Sequence, residues 1–324
     1  MHLGIVIVSY NVRDLLRACL ASVFADLSRS PHLSAEVLVI DNASADDSAG
    51  MVAAAFPQAG IIASERNLGF AGGNNLGLRR LGLGRETQPP GAPDAILLLN
   101  PDTEVQPGAL AAMAGFLASE PRAGGCGARL SYGDGSFQHS AFRFPGLAQL
   151  YLDLFPAHPR LLDSRLNGRF PRRLYEGENP FPVDFVLGAA LMVRGQAIAA
   201  AGLLDEGFFI YAEEMDWQFR LRAAGWPIFC VPAAHITHHE GRSTRQFRGP
   251  MTVALWRSRL RYYDKHYPPW KRAAARRLIR RGMAAQSRAA AAAHQSGQID
   301  DAELQARLSA YRQVIALLSA DARP

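Results

Sequence analysis

Residues 94–104 read Asp-Ala-Ile-Leu-Leu-Leu-Asn-Pro-Asp-Thr-Glu, and this stretch decides the predicted fold. A short continuous apolar run is typical of a strand that is buried on both faces of a parallel sheet. The strand ends at Asn100 because Pro101 lacks a backbone donor and restrains the residue before it. Asp102 therefore follows the carboxyl end of a central strand, where open α/β sheets bind their ligands. A carboxylate there needs a cation, and a metal ion that carries a phosphate would supply one.

Asp102 also has a plainer interpretation, as the N-cap of a helix that begins near Pro107. The order Asn100-Pro101-Asp102 provides only one carboxylate. A metal ion at this place would therefore need further ligands from elsewhere, and the residues alone leave both interpretations open.

The composition is that of a globular protein, with 48% hydrophobic and 20% charged residues in a chain of 324. Cys19, Cys126 and Cys230 are far apart in sequence, which argues against disulfides and against a cysteine zinc site and fits a reducing cytosol. We find no basic leader before the first apolar stretch and no apolar window of the ~20 residues that a membrane span needs. From residue 257 onward there are 14 Lys and Arg against 5 Asp and Glu, so the net charge of +6 comes from the tail.

Strand and helix patterns alternate four times in the first 120 residues. Buried strands are predicted at residues 3–9, 36–40 and 60–64 in addition to the one that ends at Asn100. This alternation predicts an α/β fold, with a mostly parallel, Rossmann-like sheet flanked by helices. We predict one domain over residues 1–256, with a nucleotide-binding half (1–120) and a catalytic half (121–256), followed by a basic helical extension over residues 257–324.

Other elements follow from local patterns in the second half. Tyr132-Gly133-Asp134-Gly135 predicts a hairpin turn. Residues 185–193 are predicted to form a strand with a bulge or a close approach at Gly188, and residues 227–231 are predicted to form the last strand. A helix is predicted over residues 213–224, and long Arg/Ala-rich helices with a break near Gly297 are predicted after residue 257.

Polar residues after the strands suggest how a nucleotide would bind. The turn Ser9-Tyr10-Asn11 has no glycine, which disfavours a dinucleotide enzyme, and no P-loop is present. Asp41 either accepts hydrogen bonds from a base or ribose or caps a turn, at equal odds. The run from Asn67 to Asn75 is predicted to be a loop that closes on a ligand, because it combines glycines with asparagine amides.

Acidic and basic side chains cluster in the second half. Glu213, Glu214 and Asp216 follow an aromatic run, where carboxylates have raised pKa values that suit a general base; the alternative is an acidic first helix turn. One histidine of the cluster His235, His238 and His239 is a candidate metal ligand, and two nearby guanidiniums, Arg242 and Arg245, suit a diphosphate. The basic face of Arg272, Arg276 and Arg280 is interpreted first as solvated and second as a contact for a membrane or an anionic acceptor.

Seven motifs in order together resemble glycosyltransferase family 2, and within it the bacterial rhamnosyltransferase-like members. They cover roughly residues 3–266 and stand at residues 6–11 (Val-Ile-Val-Ser-Tyr-Asn), 39–44 (Val-Ile-Asp-Asn-Ala-Ser), 67–74 (Asn-Leu-Gly-Phe-Ala-Gly-Gly-Asn), 98–102 (Leu-Leu-Asn-Pro-Asp), 188–192 (Gly-Ala-Ala-Leu-Met), 211–216 (Tyr-Ala-Glu-Glu-Met-Asp) and 238–243 (His-His-Glu-Gly-Arg-Ser). The resemblance implies the GT-A fold and an inverting, metal-dependent transfer from a nucleotide-sugar.

The resemblance also implies roles for individual residues. Asp102 and His238 would bind Mg²⁺ or Mn²⁺, with Asn100 in place of the family's first metal-motif aspartate. Glu214 would be the base, in place of the usual aspartate, with Asp216 or Glu213 able to share the role. The implied donor-binding residues are Ser9, Tyr10, Asn11, Asp41, Asn67, Gly69, Asn74, Asn100, Asp102, Gly188, Ala189 and Arg245.

The expected function is transfer of a sugar: the resemblance implies L-rhamnose from dTDP-rhamnose, and a UDP-sugar is the other donor class. A glycan or lipid-linked acceptor in the cell envelope is expected. We expect a cytoplasmic protein with peripheral membrane contact through the basic helices and no nucleic-acid partner. The alternatives are a sugar-nucleotidyltransferase, which usually has a basic glycine-rich motif that is missing here, and a catalytically silent carbohydrate-binding protein.

Overall fold

A computed structural model describes residues 1–84, 89–155, 158–239 and 248–320. The first four strands alternate with helices, as the apolar runs predict. The strands are β1 (His2–Ser9), β2 (Ser34–Asp41), β3 (Gly60–Ala63), β4 (Ala95–Leu99), β5 (Thr103–Val105), β6 (Gly125–Ser131), β7 (Phe137–Gln138), β8 (Ala141–Phe142), β9 (Phe181–Val183), β10 (Phe185–Val186), β11 (Ala190–Arg194) and β12 (Ile228–His238).

The helices before the last strand are mostly short. They are α1 (Arg13–Ser28), α2 (Ser48–Ala55), α3 (Gly69–Arg80), α4 (Ala109–Ser119), α5 (Leu147–Leu154), α6 (Pro159–Leu162), a 3₁₀ turn (Arg165–Asn167), α7 (Arg173–Glu176), α8 (Gly195–Ala201) and α9 (Glu213–Ala223). Three long helices follow β12: α10 (Arg248–His266), α11 (Pro269–Gln295) and α12 (Asp301–Ala320).

The sheet has ten strands, in the order β3-β2-β1-β4-β11-β6-β12-β5, with β7 and β9 paired to β6 and β12. The strands β1, β2, β3, β4, β6 and β12 run in one direction, and β11 is antiparallel to both of its neighbours. The predicted α/β class with a mostly parallel sheet is therefore confirmed. Asn100 follows β4 directly, at the carboxyl end of a central strand.

Alternate side chains of the central strands enter two separate cores. Ile5 and Ile7 of β1 pack with α1, α2 and α4, while Val6 and Val8 pack with α3, α8 and α9 on the other face. Burial of each such side chain stabilises the fold by about 1.5–3 kcal/mol. The sheet is thus covered on both faces, which is why its strands read as continuous apolar runs.

The glycine-rich segment after β3 is a helix rather than the predicted loop. α3 begins at Gly69 and includes Gly72, Gly73, Asn74 and Asn75, which are predicted to close on a ligand, while Asn67 lies before the helix. A Cβ atom on Gly73 would lie 2.8 Å from a methyl group of Val8, and one on Gly77 would lie 2.6 Å from a methyl group of Val6. These glycines let the helix pack closely on β1. This packing outweighs the low helix propensity of glycine.

Two further expectations are corrected in detail, and a third is confirmed. The predicted strand over residues 185–193 is two strands, β10 and β11, separated by Leu187, Gly188 and Ala189. The last strand extends to His238, with an irregularity between Val231 and His235 beside Pro232. The hairpin at residues 132–135 is confirmed, because β6 and β7 pair on either side of it.

The chain forms two compact units. The first contains residues 1–144, 170–209 and 213–243 and holds the sheet; the second contains residues 145–169, 210–212 and 244–324. Within the second unit, α11 packs against α5 and α12, and Ser258 of α10 donates a hydrogen bond to the carbonyl of Ile210. The boundary between residues 256 and 257 stays a prediction, and α10 runs across it. No described helix combines the length and apolar character needed to cross a membrane.

Candidate active site

Ser9 and Asp41 lie side by side at the carboxyl ends of β1 and β2, where they are register partners. Both are buried, with 0% and 4% of their surfaces exposed. Asp41 Oδ2 accepts a hydrogen bond from the Ser44 amide at 3.1 Å, but Asp41 Oδ1 and Ser9 Oγ have no partner within the described part of the chain. Buried polar atoms normally have partners, so this pair is suited to bind a polar ligand.

The turn after β1 is held by its own polar groups. The backbone N–H of Asn11 donates to Ser44 Oγ, and Asn11 Oδ1 accepts from the Ala45 amide at 2.7 Å. Asn11 therefore connects the β1 and β2 turns, and α1 is preceded by Val12 as its N-cap. Tyr10 in the same turn is 46% exposed.

The asparagines around the start of α3 bind backbone. Asn42 donates to the Gly69 carbonyl and accepts from the Leu68 amide, Asn67 Oδ1 accepts from the Gly69 amide, and Asn74 Nδ2 donates to the Phe70 carbonyl. Gly69 has φ +72°, and a Cβ atom there would lie 2.2 Å from the carbonyl oxygen of Phe209. These hydrogen bonds fix the start of α3. Donor binding by Asn67, Gly69 and Asn74 stays a prediction.

Asp102 and His238 meet between β5 and β12, which pair in an antiparallel register with His238 opposite Thr103. His238 Nε2 lies 3.4 Å from Asp102 Oδ1, and the two side chains are 8% and 9% exposed. Asp102 directly precedes β5, so the alternative interpretation as a helix cap is wrong. Helix α4 begins later, at Ala109, and the amides of Gly108 and Leu110 donate hydrogen bonds to Asp26.

The ring of His238 is oriented by Gln138. His238 Nδ1 lies 3.2 Å from Gln138 Oε1, an acceptor, so Nδ1 carries the proton of this hydrogen bond. Nε2 then faces the Asp102 carboxylate, with Asn100 Nδ2 at 3.5 Å. A second polar group that fixes the tautomer is typical of metal-binding histidines.

A carboxylate oxygen and an imidazole nitrogen together fit a divalent cation such as Mn²⁺, and less well Mg²⁺, which prefers oxygen ligands. Among the described residues, no group of three or more His, Cys, Asp and Glu side chains could hold a metal ion. A cation bound by Asp102 and His238 would therefore need other ligands, and phosphate oxygens and water are the usual ones.

Glu214 is the acidic residue of α9 whose position best suits a base. Burial raises the pKa of its carboxyl group, and its Cβ and Cγ lie 3.4 Å from where a Cβ atom on Gly188 would be. Asp216 is fully buried and forms an ion pair with Arg220 at 3.0 Å, while Glu213 is 4% exposed. Tyr211 and Ala212, directly before α9, have φ values of 71° and 65°, which are uncommon outside glycine.

One hydrogen bond connects the residues beside Glu214 to the strand end that precedes Asp102. The Asn100 amide donates to the Ala189 carbonyl at 2.9 Å, and Ala189 follows Gly188, whose missing Cβ atom would lie 3.4 Å from Glu214. The residues between β10 and β11 thus lie between the end of β4 and the start of α9. Gly188 and Ala189 therefore lie beside the candidate site, while their contact with a donor stays a prediction.

Comparison with known proteins decides the family. The Glycosyl transferase family 2 model matches residues 4–163. The chain is 30% identical over 288 residues to N-acetylglucosaminyl-diphospho-decaprenol L-rhamnosyltransferase of Mycobacterium tuberculosis, covering 88% of this chain and 91% of that protein. The chain belongs to glycosyltransferase family 2.

Solved structures with the same fold are glycosyltransferases as well. The mannosyltransferase PcManGT from Pyrobaculum calidifontis, in complex with GDP-Man and Mn²⁺, aligns with a TM-score of 0.55 at 16% identity over 98% of this chain and 84% of its own. GalNAc-T7 with UDP, GalNAc and Mn²⁺ aligns with a TM-score of 0.53 at 15% identity over 74% of this chain, which spans 44% of that protein. The predicted GT-A fold is confirmed.

The other two histidines of the cluster in this glycosyltransferase contact residues outside the Asp102–His238 pair. His239 bonds to Glu104 at 2.6 Å, and His235 bonds to Ser131 at 3.0 Å, with a pKa lowered by burial and by Arg129. Arg242 and Arg245 lie outside the described residues. Sequence reasoning assigned no role to Asn42, which bonds the start of α3, or to Gln138, which orients His238. Asn42 belongs to the motif at residues 39–44, whereas no local pattern distinguishes Gln138.

Proposed function

We propose that this transferase moves L-rhamnose from dTDP-rhamnose to a hydroxyl group of a lipid-linked acceptor, with inversion at the anomeric carbon, in the assembly of a cell-envelope glycan. The observation that carries the proposal is the position of half-buried Glu214 beside the open side of Gly188, whose neighbour Ala189 accepts a hydrogen bond from the Asn100 amide. This arrangement connects a base of raised pKa to the strand end that leads to Asp102.

The donor nucleotide would bind at the carboxyl ends of β1 and β2. Ser9 Oγ and Asp41 Oδ1 have no partner within the described residues and are available to a base or ribose. Asp102 and His238 would hold Mg²⁺ or Mn²⁺, which when bound offsets the negative charge that grows on the leaving diphosphate. Arg245 is proposed as a further diphosphate contact, on the sequence motif alone.

Glu214 would remove the proton of the acceptor hydroxyl group. The acceptor oxygen forms a bond to the anomeric carbon, the bond from that carbon to the diphosphate oxygen breaks, and its electron pair leaves with the nucleoside diphosphate. A single in-line displacement inverts the anomeric centre, and the proton stays on Glu214 until solvent accepts it. Glu213 and Asp216 are less suited to this step because both are buried, and Asp216 is paired with Arg220.

The lipid-linked acceptor is suggested by the mycobacterial relative, whose name describes a diphospho-decaprenol substrate. Such an acceptor is an amphiphile, and its glycosyl group is reached at a membrane surface. We therefore place the enzyme in the cytoplasm, on the inner face of the membrane, as a peripheral protein.

A panel of nucleotide-sugars tests the donor, because a ligand that binds only the folded state raises its stability. With Mn²⁺ present, dTDP-rhamnose should raise the melting temperature more than dTDP-glucose, UDP-GlcNAc or GDP-mannose. NMR of the product formed on a short-chain diphospholipid acceptor should show an inverted anomeric centre. A larger shift with another donor would contradict the assignment to rhamnose, and retention of configuration would contradict the mechanism.

A further inference from the structure

Helix α11 is basic along its whole length. Its 27 residues include seven Lys and Arg and no Asp or Glu. Its buried residues, Ala275, Ile279, Gly282, Met283 and Ala290, share one face, and a Cβ atom on Gly282 would lie 2.5 Å from Leu154 of α5. The helix is thus fixed on one side by close packing within its own unit.

The opposite face presents arginines without acidic partners. Arg276 is neutralised by Asp264 at 2.8 Å, and Lys271 lies 3.7 Å from the ring centroid of Tyr267. Four exposed arginines have no acidic partner within 4.0 Å among the described residues: Arg277, Arg280, Arg281 and Arg288. Like charges four residues apart, as in Arg277 and Arg281, destabilise a helix, so ordinary solvation gives no reason for this arrangement.

The neighbouring helix α12 differs in this respect. It combines acidic and basic residues, and its Arg307 pairs with Glu303 one turn away at 2.5 Å. The absence of acidic residues is therefore specific to α11 within this pair of helices.

Trp270 lies on the same face as the arginines. It is 67% exposed, more than any other large hydrophobic side chain in the described ranges. At 3.6 residues per turn, positions 270, 277, 281 and 288 fall on one stripe about 27 Å long. An exposed tryptophan beside arginines is the composition of a helix that lies in a membrane interface.

We propose that this stripe, Trp270 with Arg277, Arg281 and Arg288, flanked by the exposed Arg280, is the docking surface of the enzyme for a bilayer rich in anionic lipid. The arginines bind lipid phosphates, and Trp270 inserts at the level of the headgroups. The proposal deepens the proposed function, on whose lipid-linked acceptor it rests. Tryptophan insertion favours a bilayer over nucleic acid, which offers the same phosphates without an apolar layer.

Vesicle flotation of the full chain tests the surface. The enzyme should bind vesicles of phosphatidylcholine with phosphatidylglycerol, not phosphatidylcholine alone, and raised salt should release it because exposed charges are screened. The variant Arg277→Glu/Arg281→Glu should bind at least about 25-fold more weakly, since each basic residue near the surface contributes about fivefold. Arg160→Glu/Arg165→Glu makes the same charge change on exposed residues of the same unit and should bind normally.

The Trp270→Phe variant tests whether Trp270 inserts into the bilayer. Vesicle addition should shift the tryptophan fluorescence of the wild type to shorter wavelength, and the variant should lack this component. Equal losses in the two charge-reversal variants, or tighter binding to a DNA duplex than to anionic vesicles, would overturn the proposal.

Donor binding without vesicles separates this proposal from the proposed function. Arg277→Glu/Arg281→Glu should retain the thermal shift produced by dTDP-rhamnose. Loss of vesicle binding in the wild type with an intact thermal shift would overturn only the docking surface. Normal vesicle binding with no thermal shift from any nucleotide-sugar would overturn only the proposed function.

Discussion

His238 Nε2 lies 3.4 Å from Asp102 Oδ1, and this approach joins the end of β12 to the start of β5. The contact of Nδ1 with Gln138 Oε1 turns the opposite ring nitrogen, Nε2, toward the Asp102 carboxylate. A buried carboxylate and an imidazole nitrogen this close together can bind one cation between them. The pair is therefore the candidate metal-binding part of the site.

Replacement of His238 tests that dependence. His238→Ala should weaken Mn²⁺-dependent binding of the donor at least about tenfold, as loss of metal-site residues does. The control is His239→Ala, which removes the next histidine and its bond to Glu104 outside the pair. Calorimetric titration of donor with Mn²⁺ and with EDTA measures both variants. Equal affinity of His238→Ala and wild type in Mn²⁺ would contradict the assignment, and Asp102→Ala should behave as His238→Ala does.

Glu214→Gln should abolish transfer while donor binding is nearly unchanged. Because burial raises the pKa of Glu214, the wild-type rate should fall on the acid side at a pH above about 4.3, the ordinary value for Glu. A pH–rate profile measures this limb. Near-normal turnover of Glu214→Gln would exclude Glu214 as the base.

The same substitution has an effect on stability that does not depend on turnover. A carboxyl group with a raised pKa in the folded state binds its proton more tightly there than in the unfolded chain. Its contribution to stability is therefore present at low pH and is lost as the pH rises through the raised pKa. Glu214→Gln should match wild type in acid and become relatively more stable as the pH increases, which denaturant unfolding at several pH values can measure.

Asp216 is expected to stabilise the fold rather than to act in catalysis. It forms an ion pair with Arg220 in which the Asp216 carboxylate is fully buried. The Arg220 guanidinium group also donates hydrogen bonds to the carbonyls of Ala201 and Leu203. Asp216→Ala should lower the free energy of unfolding by about 3 kcal/mol, because it leaves a mostly buried guanidinium group without its counter-charge. Glu176→Ala, which removes the exposed i,i+4 pair with Arg172, should cost less than about 1 kcal/mol. Denaturant melts compare them, and similar small losses would contradict this role.

Two glycines in helices should respond to alanine in opposite directions. Gly77→Ala should destabilise by about 1–3 kcal/mol through overpacking, since its Cβ atom would lie 2.6 Å from Val6. Gly115 of α4 has nothing within 4 Å of such an atom. Gly115→Ala should therefore stabilise by about 0.5–1 kcal/mol through helix propensity. Thermal unfolding of both variants tests whether packing on β1 is the reason for glycine in α3, and a gain in Gly77→Ala would exclude it.

Local patterns predicted the strands well and α3 poorly. β1, β2 and β4 are apolar runs that end in turn residues, so the information is contained in neighbouring positions. α3 contains glycines that propensity assigns to a loop, and only its packing on Val6 and Val8 makes the helix favourable. The irregularity in β12 was missed because it depends on pairing with β6 rather than on Pro232 alone.

The sequence by itself determined the α/β class, the family motifs and the types of side chain available for chemistry. Only the tertiary structure decided which of them meet: Asp102 with His238, Ser9 with Asp41, and Glu214 with Gly188. It also oriented His238 through Gln138 and paired Asp216 with Arg220, which favours Glu214 as the base. The physical reason is that secondary structure is encoded by the spacing of neighbouring residues, whereas a site is made by strand register and helix packing between segments far apart in the chain.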